Sequence, residues 1–263
     1  MRFYDAHNHL QDGRFIDRSS IVTDAARVGI ARMVVNGSCE EDWPAVRELA
    51  QQFPQVLPSF GYHPWYLHER SVDWRQRLIE TLDSTPSVIG EIGLDRWKPD
   101  LPYAGQEEAF TWQLQLAVQR DCTASIHCLQ AWGRMHDLLR DNPRPERGFL
   151  LHSYGGSKEM VEPLRKLGAY FSFPGYFMHE RKQRQREAFR AVPLDRLLIE
   201  TDAPDQLLPD ALNRFPLLDS DGKALNHPAN IGAIYDFVAR ERKMTIDNLA
   251  SAVEENFARL FSG

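Results

Sequence analysis

The strongest constraint on the fold is a rhythm that runs through most of the chain: short apolar, often β-branched runs, each followed by a longer polar–apolar helical pattern. The runs fall at 3–7, 32–36, 56–61, 87–91, 124–127, 148–152, 169–173 and 196–200. Between them, 107–120 places Phe110, Leu114, Ala117 and Val118 on one face of a helix. Segment 158–167 predicts another helix, entered through Gly155-Gly156-Ser157, with Ser157 as its N-cap. Eight strands alternating with helices imply a parallel sheet, and eight is the number that closes a (β/α)₈ barrel. The alternative is an open doubly wound sheet, but the first strand-to-helix turn lacks GxGxxG. A length of 263 residues suits one such barrel, a single domain over 1–263. The rhythm breaks after the eighth run. A loop at 203–228 precedes terminal helices at 231–242 and 246–261, and a loop that long is more often functional than idle.

Composition narrows the function classes. No apolar run approaches the roughly 18 residues of a membrane span, and Met1-Arg2-Phe3-Tyr4-Asp5 leads directly into a strand without a leader's apolar region. A cytoplasmic location with no membrane partner is the expectation. Cys39, Cys122 and Cys128 have no CxxC spacing, which argues against a disulfide framework or a thiolate zinc site. Cys128, adjacent to His127, points to the opposite strand face, into the core. A net charge of −6 argues against a broadly basic nucleic-acid binder. Nucleic acid stays open as a substrate, because divalent ions add charge that the count omits.

Polar residues gather where strands end. His7 and His9 are two apart, so both imidazoles can reach one ion. Glu91 ends the fourth run, His127 the fifth, His152 the sixth, and Asp202 follows the eighth. A single such histidine is usually a hydrogen-bonded core residue, and a single acid is usually a cap or ion pair. Four histidines and two carboxylates converging on one barrel mouth are costly to bury unless metal satisfies them. The ligand count suggests two divalent ions, Zn²⁺ or Mn²⁺ with Mg²⁺ possible on the oxygen-rich side. One would take His7, His9, Glu91 and Asp202, the other Glu91, His127 and His152, with Glu91 bridging. A metal-bound hydroxide would then attack, with Asp202 orienting the water and taking its proton. His63, before Pro64 at the end of the third strand, reads equally well as a site or a turn residue.

At these residues the chain resembles the TatD family of metal-dependent hydrolases and deoxyribonucleases, within the amidohydrolase-like barrels. The resemblance covers essentially the whole chain. It rests on Asp5-Ala6-His7-Asn8-His9-Leu10, Gly61-Tyr62-His63-Pro64, Gly90-Glu91-Ile92-Gly93-Leu94-Asp95, Ile126-His127, His152-Ser153-Tyr154-Gly155-Gly156-Ser157, Glu200-Thr201-Asp202-Ala203-Pro204 and Asn256-Phe257-Ala258-Arg259-Leu260-Phe261. It implies the same metal ligands, a hydrolytic role for Asp202, and a place for His63 at the pocket, near the substrate; Glu91 and His63 join Asp202 as candidate catalytic residues. Asp95 and Tyr154 are further candidate substrate contacts. Four positions depart from the family pattern: Leu129 and Leu225 stand where arginines are usual, His227 stands where an acid is usual, and Gln11 follows the first histidine pair. The expected activity is phosphodiester hydrolysis of DNA, acting from the ends of single strands. A small ester, lactone, amide or phosphorylated metabolite is the alternative substrate. A metal-stabilised partner protein without catalysis is a third reading, opposed by the intact ligand set. Arg181, Lys182, Arg184, Arg186 and Arg190 could track phosphates, but read better as a solvated helix face. Tyr62, Trp65, Trp97, Tyr154 and Phe177 follow strands and could either stack on bases or pack the loops.

Overall fold

The computed structural model describes residues 1–99 and 101–261. Eight parallel strands lie in sequential order: β1 (Phe3–Asn8), β2 (Ile30–Asn36), β3 (Val56–Phe60), β4 (Val88–Asp95), β5 (Ala124–Leu129), β6 (Phe149–Leu151), β7 (Ala169–Pro174) and β8 (Leu197–Glu200). Sequential order is that of a barrel; a doubly wound sheet would reverse direction midway, so that alternative is set aside. Nearly every strand residue is buried, because helices cover the outside and side chains fill the inside. The ring closes between its first and last strands. Asp202 N donates to His7 O at 2.9 Å, and His9 N donates to Ala203 O at 2.7 Å. Below them, Asp5 accepts from Thr201 N at 2.9 Å and Thr201 Oγ1 at 2.6 Å. Closure and candidate site therefore share residues.

The helices are α1 (Arg18–Arg27), α2 (Trp43–Gln52), α3 (Trp74–Ser84), α4 (Gln106–Gln119), α5 (Trp132–Asp141), α6 (Lys158–Lys166), α7 (Gln183–Ala191), α8 (Ile231–Glu241) and α9 (Ile246–Phe261). None of the described helices is long and apolar enough to cross a membrane. In α4, Phe110, Leu114 and Ala117 face the barrel as their spacing predicts. Two buried glutamines of the same helix pin the loops above it. Gln113 Oε1 accepts from Tyr62 N at 2.7 Å, and Gln106 Oε1 accepts from Asp95 N at 2.7 Å. Ser157 does precede α6, but its side chain makes no capping bond. The 203–228 segment is partly ordered by a short hairpin of β9 (Leu217–Leu218) and β10 (Ala224–Leu225).

The fourth strand differs from expectation. It runs on to Asp95, so Glu91 sits in its middle rather than at its end. Sequence reading stops a strand at a charge, whereas here Ile92 and Leu94 continue the buried pattern past it. The register against β5 shifts between Ile89 and Ile92, and the Glu91 carboxylate faces the mouth. Close approach to β5 requires Gly93, where a Cβ would lie 1.9 Å from His127 O.

Candidate metal centre

The six residues expected to hold metal meet in one cluster with Glu91 at its centre, and the two carboxylate oxygens face different partners. Oε2 is 3.2 Å from His9 Nε2 and 3.4 Å from His7 Nε2. Oε1 is 2.8 Å from His152 Nε2, 3.2 Å from His127 Nδ1 and 3.3 Å from His63 Nε2. Asp202 Oδ1 joins the first side, 3.5 Å from His9 and 3.7 Å from His7. His152 also comes close to this side: its ring stacks on His7 at 3.9 Å between centroids, and a ligand atom from each of His7, His152 and Asp202 lies within 4.8 Å of the others.

Hydrogen bonds behind the rings decide which nitrogen faces the cluster with a lone pair. His9 Nδ1 lies 2.8 Å from Asn36 O. A carbonyl only accepts, so Nδ1 carries the proton and a neutral His9 presents a bare Nε2. His127 Nε2 lies 2.9 Å from Asp95 Oδ2, so its Nδ1 is the bare atom by the same reasoning. His7 Nδ1 shares a bond of 2.9 Å with Ser125 Oγ, leaving Nε2 for the cluster. His63 is the reverse case. Its Nδ1 accepts from Trp65 N at 3.2 Å, so neutral His63 carries its proton on Nε2 and donates toward Glu91. A protonated nitrogen cannot ligate. The hydrogen bonds thus set His63 apart from His7, His9 and His127, although its ligand atom lies within 4.8 Å of those of Glu91 and His127.

The electrostatics follow from burial of many ionisable groups. Burial drives His7 down to about 3, with His152 beside it adding to the effect. Burial likewise lowers His63 to about 4. Burial opposes charge on His9 too, but Glu91 and Asp202 outweigh it and raise His9 to about 9. Burial would raise Glu91, yet His63, His152 and His7 hold it well below the carboxylate range. Asp202 is raised to about 6, by burial first and then by Glu200 and Glu91. Its backbone is left-handed, φ 52°, a conformation that an aspartate tolerates better than a bulky residue. Against burial, Asp95 and Glu91 raise His127, and Glu91 raises His152, so a divalent cation that takes this set of imidazoles round a shared, ionised carboxylate would displace their protons as it binds.

Other expected contacts fall elsewhere. Asp95 stands behind His127 rather than at the pocket surface. Its Oδ1 accepts from Trp97 N and Lys98 N at 2.7 and 3.0 Å, and its Oδ2 from Trp65 Nε1 at 2.7 Å. Tyr154 does not reach substrate space and is corrected to a core residue. It is fully buried, gives its hydroxyl proton to Ser157 O at 2.7 Å, and packs against Trp132 and Phe171. Gly156 is what admits it, since a Cβ there would lie 2.6 Å from the ring. Tyr62 and Phe177 are also buried, whereas Trp97 is 56% exposed. Leu225 is buried and Leu129 half-buried, while Gln11 turns to Asn36 O at 2.6 Å.

The basic run divides on inspection. Arg186 bonds to the carbonyls of Phe177 and His179, and Arg190 pairs with Glu241 at 2.8 Å. Sequence reading missed the residues behind the cluster. Glu200 accepts from Ser153 N at 2.7 Å and lies 3.8 Å from His152 Nδ1. Its place in Glu200-Thr201-Asp202 was the available signal.

Comparison with known proteins agrees with this geometry. The 3′-5′ ssDNA/RNA exonuclease TatD of Citrobacter koseri is 31% identical over 265 residues, covering 98% of each chain. The uncharacterized metal-dependent hydrolase YjjV of Escherichia coli K12 is 27% identical over 99% of this chain and 98% of its own. The crystal structure of YjjV, described as a TatD homolog, superposes with a TM-score of 0.90 at 26% identity, covering 100% of this chain and 98% of that one. The sequence profile of the family described as TatD related DNase matches residues 4–262. The chain belongs to the TatD-related DNase family.

Proposed function

We propose that this protein is a two-metal hydrolase that cleaves phosphodiester bonds of single-stranded nucleic acid from an end. The observation that carries the reading is the division of Glu91: one oxygen faces His7, His9 and the Asp202 side, the other faces His127 and His152. His7, His9, Glu91 and Asp202 would hold one ion, and Glu91, His127 and His152 the second. Two such ions supply Lewis acidity and an activated water.

The chain's own groups do the rest. Asp202, buried and lifted toward neutrality by burial, is placed to take a proton from the attacking water. The Nε2–H of His63 faces Glu91 in this structure and would be released to donate to an oxygen of the scissile group once Glu91 holds metal. Asp95 fixes the ring of His127, and the amides of Trp97 and Lys98 fix Asp95. The barrel mouth excludes water from the lower part of the cluster, since Glu91 and His7 are buried.

The test is degradation of end-labelled single-stranded DNA by metal-stripped protein, with Mg²⁺, Mn²⁺ or Zn²⁺ restored, beside Asp202→Asn. A metal-dependent ladder that the variant loses supports the reading. No cleavage by protein carrying two ions would shift the substrate to a small ester or metabolite, in keeping with the absence of a guanidinium at Leu129 and Leu225.

A further inference from the structure

The cluster gathers charge at the floor of the mouth, but a substrate strand must also be held at its rim. Two places on the rim pair an aromatic ring with a cation. Trp65, in the loop after β3, is half-buried, with Lys98 Nζ 4.6 Å from its ring centroid. Trp97, exposed, precedes Lys98 in the chain. Tyr176, in the turn after β7, has Lys182 Nζ at 4.4 Å and the Arg181 guanidinium at 5.1 Å from its ring centroid. Arg181 Nη2 also donates to Tyr176 Oη at 3.1 Å. Among the described residues, no ion pair uses Lys98, Arg181 or Lys182. Arg96, 4.1 Å from the ring centroid of Tyr103, belongs to the same loop after β4 as the first pair, whereas Arg75 over Trp112 lies on the outer helices α3 and α4.

The strand order sets the spacing. In a ring ordered β1 to β8, the loops after β3 and β4 lie across the mouth from the turn after β7. Both emerge at the C-terminal end where Glu91 and its histidines open. A strand laid from one pair to the other passes over the cluster. Ring plus unpaired cation matches the two chemical parts of a nucleotide, a base with a π face and an anionic phosphate. A duplex has its bases stacked inside and offers neither ring a face. A small ester needs only one such pair.

We infer that Trp65–Trp97–Lys98 and Tyr176–Arg181–Lys182 are two nucleotide-binding stations that hold a single strand across the mouth. This rests on the nucleic-acid reading above. The stations stand in for a continuous basic groove, which the net charge of −6 does not provide.

Binding of a fluorescein-labelled oligothymidylate of about ten nucleotides to the metal-stripped full chain, followed by anisotropy, tests it without catalysis. Either double variant, Trp97→Ala with Lys98→Ala or Tyr176→Ala with Lys182→Ala, should weaken binding about tenfold, while Tyr176→Phe should stay within about twofold. With metal restored, the ratio of kcat/KM for the long strand to that for a dinucleotide should fall by a similar factor in the Tyr176 double variant. Binding equal to wild type in both double variants, or no binding by wild type, overturns the stations. Station-dependent binding without any cleavage would leave the stations standing and remove the nuclease reading. Cleavage with station-independent binding would do the reverse.

Discussion

At the residue scale, the chemistry turns on which imidazole nitrogen carries a proton. His63 and His127 both approach Glu91 Oε1, at 3.3 and 3.2 Å, yet a backbone N–H fixes one ring and a carboxylate fixes the other. Different outcomes follow for the two alanine variants. His127→Ala should lose one of two bound ions, whereas His63→Ala should keep both and lose turnover by about 10²-fold or more. Metal analysis of the purified variants beside their activity checks this; loss of an ion from His63→Ala would make it a ligand. Asp95→Asn should weaken binding of the second ion by about 10–100-fold, because the amide no longer fixes the ring of His127, as competition with a chelator would read. Wild-type affinity would mean Asp95 has another role. The HxH pair was legible in sequence because residues two apart share a strand face. The tautomers were not, since they depend on partners such as Asn36 O, far along the chain.

At the element scale, eight apolar runs were readable because parallel strands covered on both faces must be apolar throughout. The boundaries were less readable. Glu91 looked terminal because a charge normally ends a buried run, and only the continued burial of Ile92 and Leu94 shows the strand passing through it. Tyr154 shows the same limit: an aromatic after a strand can face ligand or core, and the glycine two residues later was the clue to packing. The seam between β1 and β8 relies on Asp5, which accepts from Thr201 at two atoms and from Asn8 Nδ2 at 3.0 Å. Asp5→Ala strands those buried donors and should cost on the order of 3 kcal/mol in metal-free protein, measured by chemical denaturation. A wild-type midpoint would show that the seam closes without it.

At the scale of the whole molecule, a chain of net charge −6 is read as acting on a polyanion through positive charge placed at the mouth. Bound ions would supply most of it, so removal of metal should do more than abolish activity. Ions that bind only the folded cluster stabilise it by mass action, and stripping them should lower Tm; an unchanged Tm would indicate that the cluster holds no metal in solution. Alternation of strands and helices made the barrel legible, but the arrangement across its mouth depends on closure of the ring and could not be read along the chain. The central claim is that Glu91 bridges two ions. Anomalous diffraction from Mn²⁺-loaded crystals tests it most directly. The account predicts two peaks about 3.5–4 Å apart, one beside His7 and His9 and one beside His127 and His152, with Glu91 between them. A single peak, or a second peak liganded by His63 instead, would contradict it.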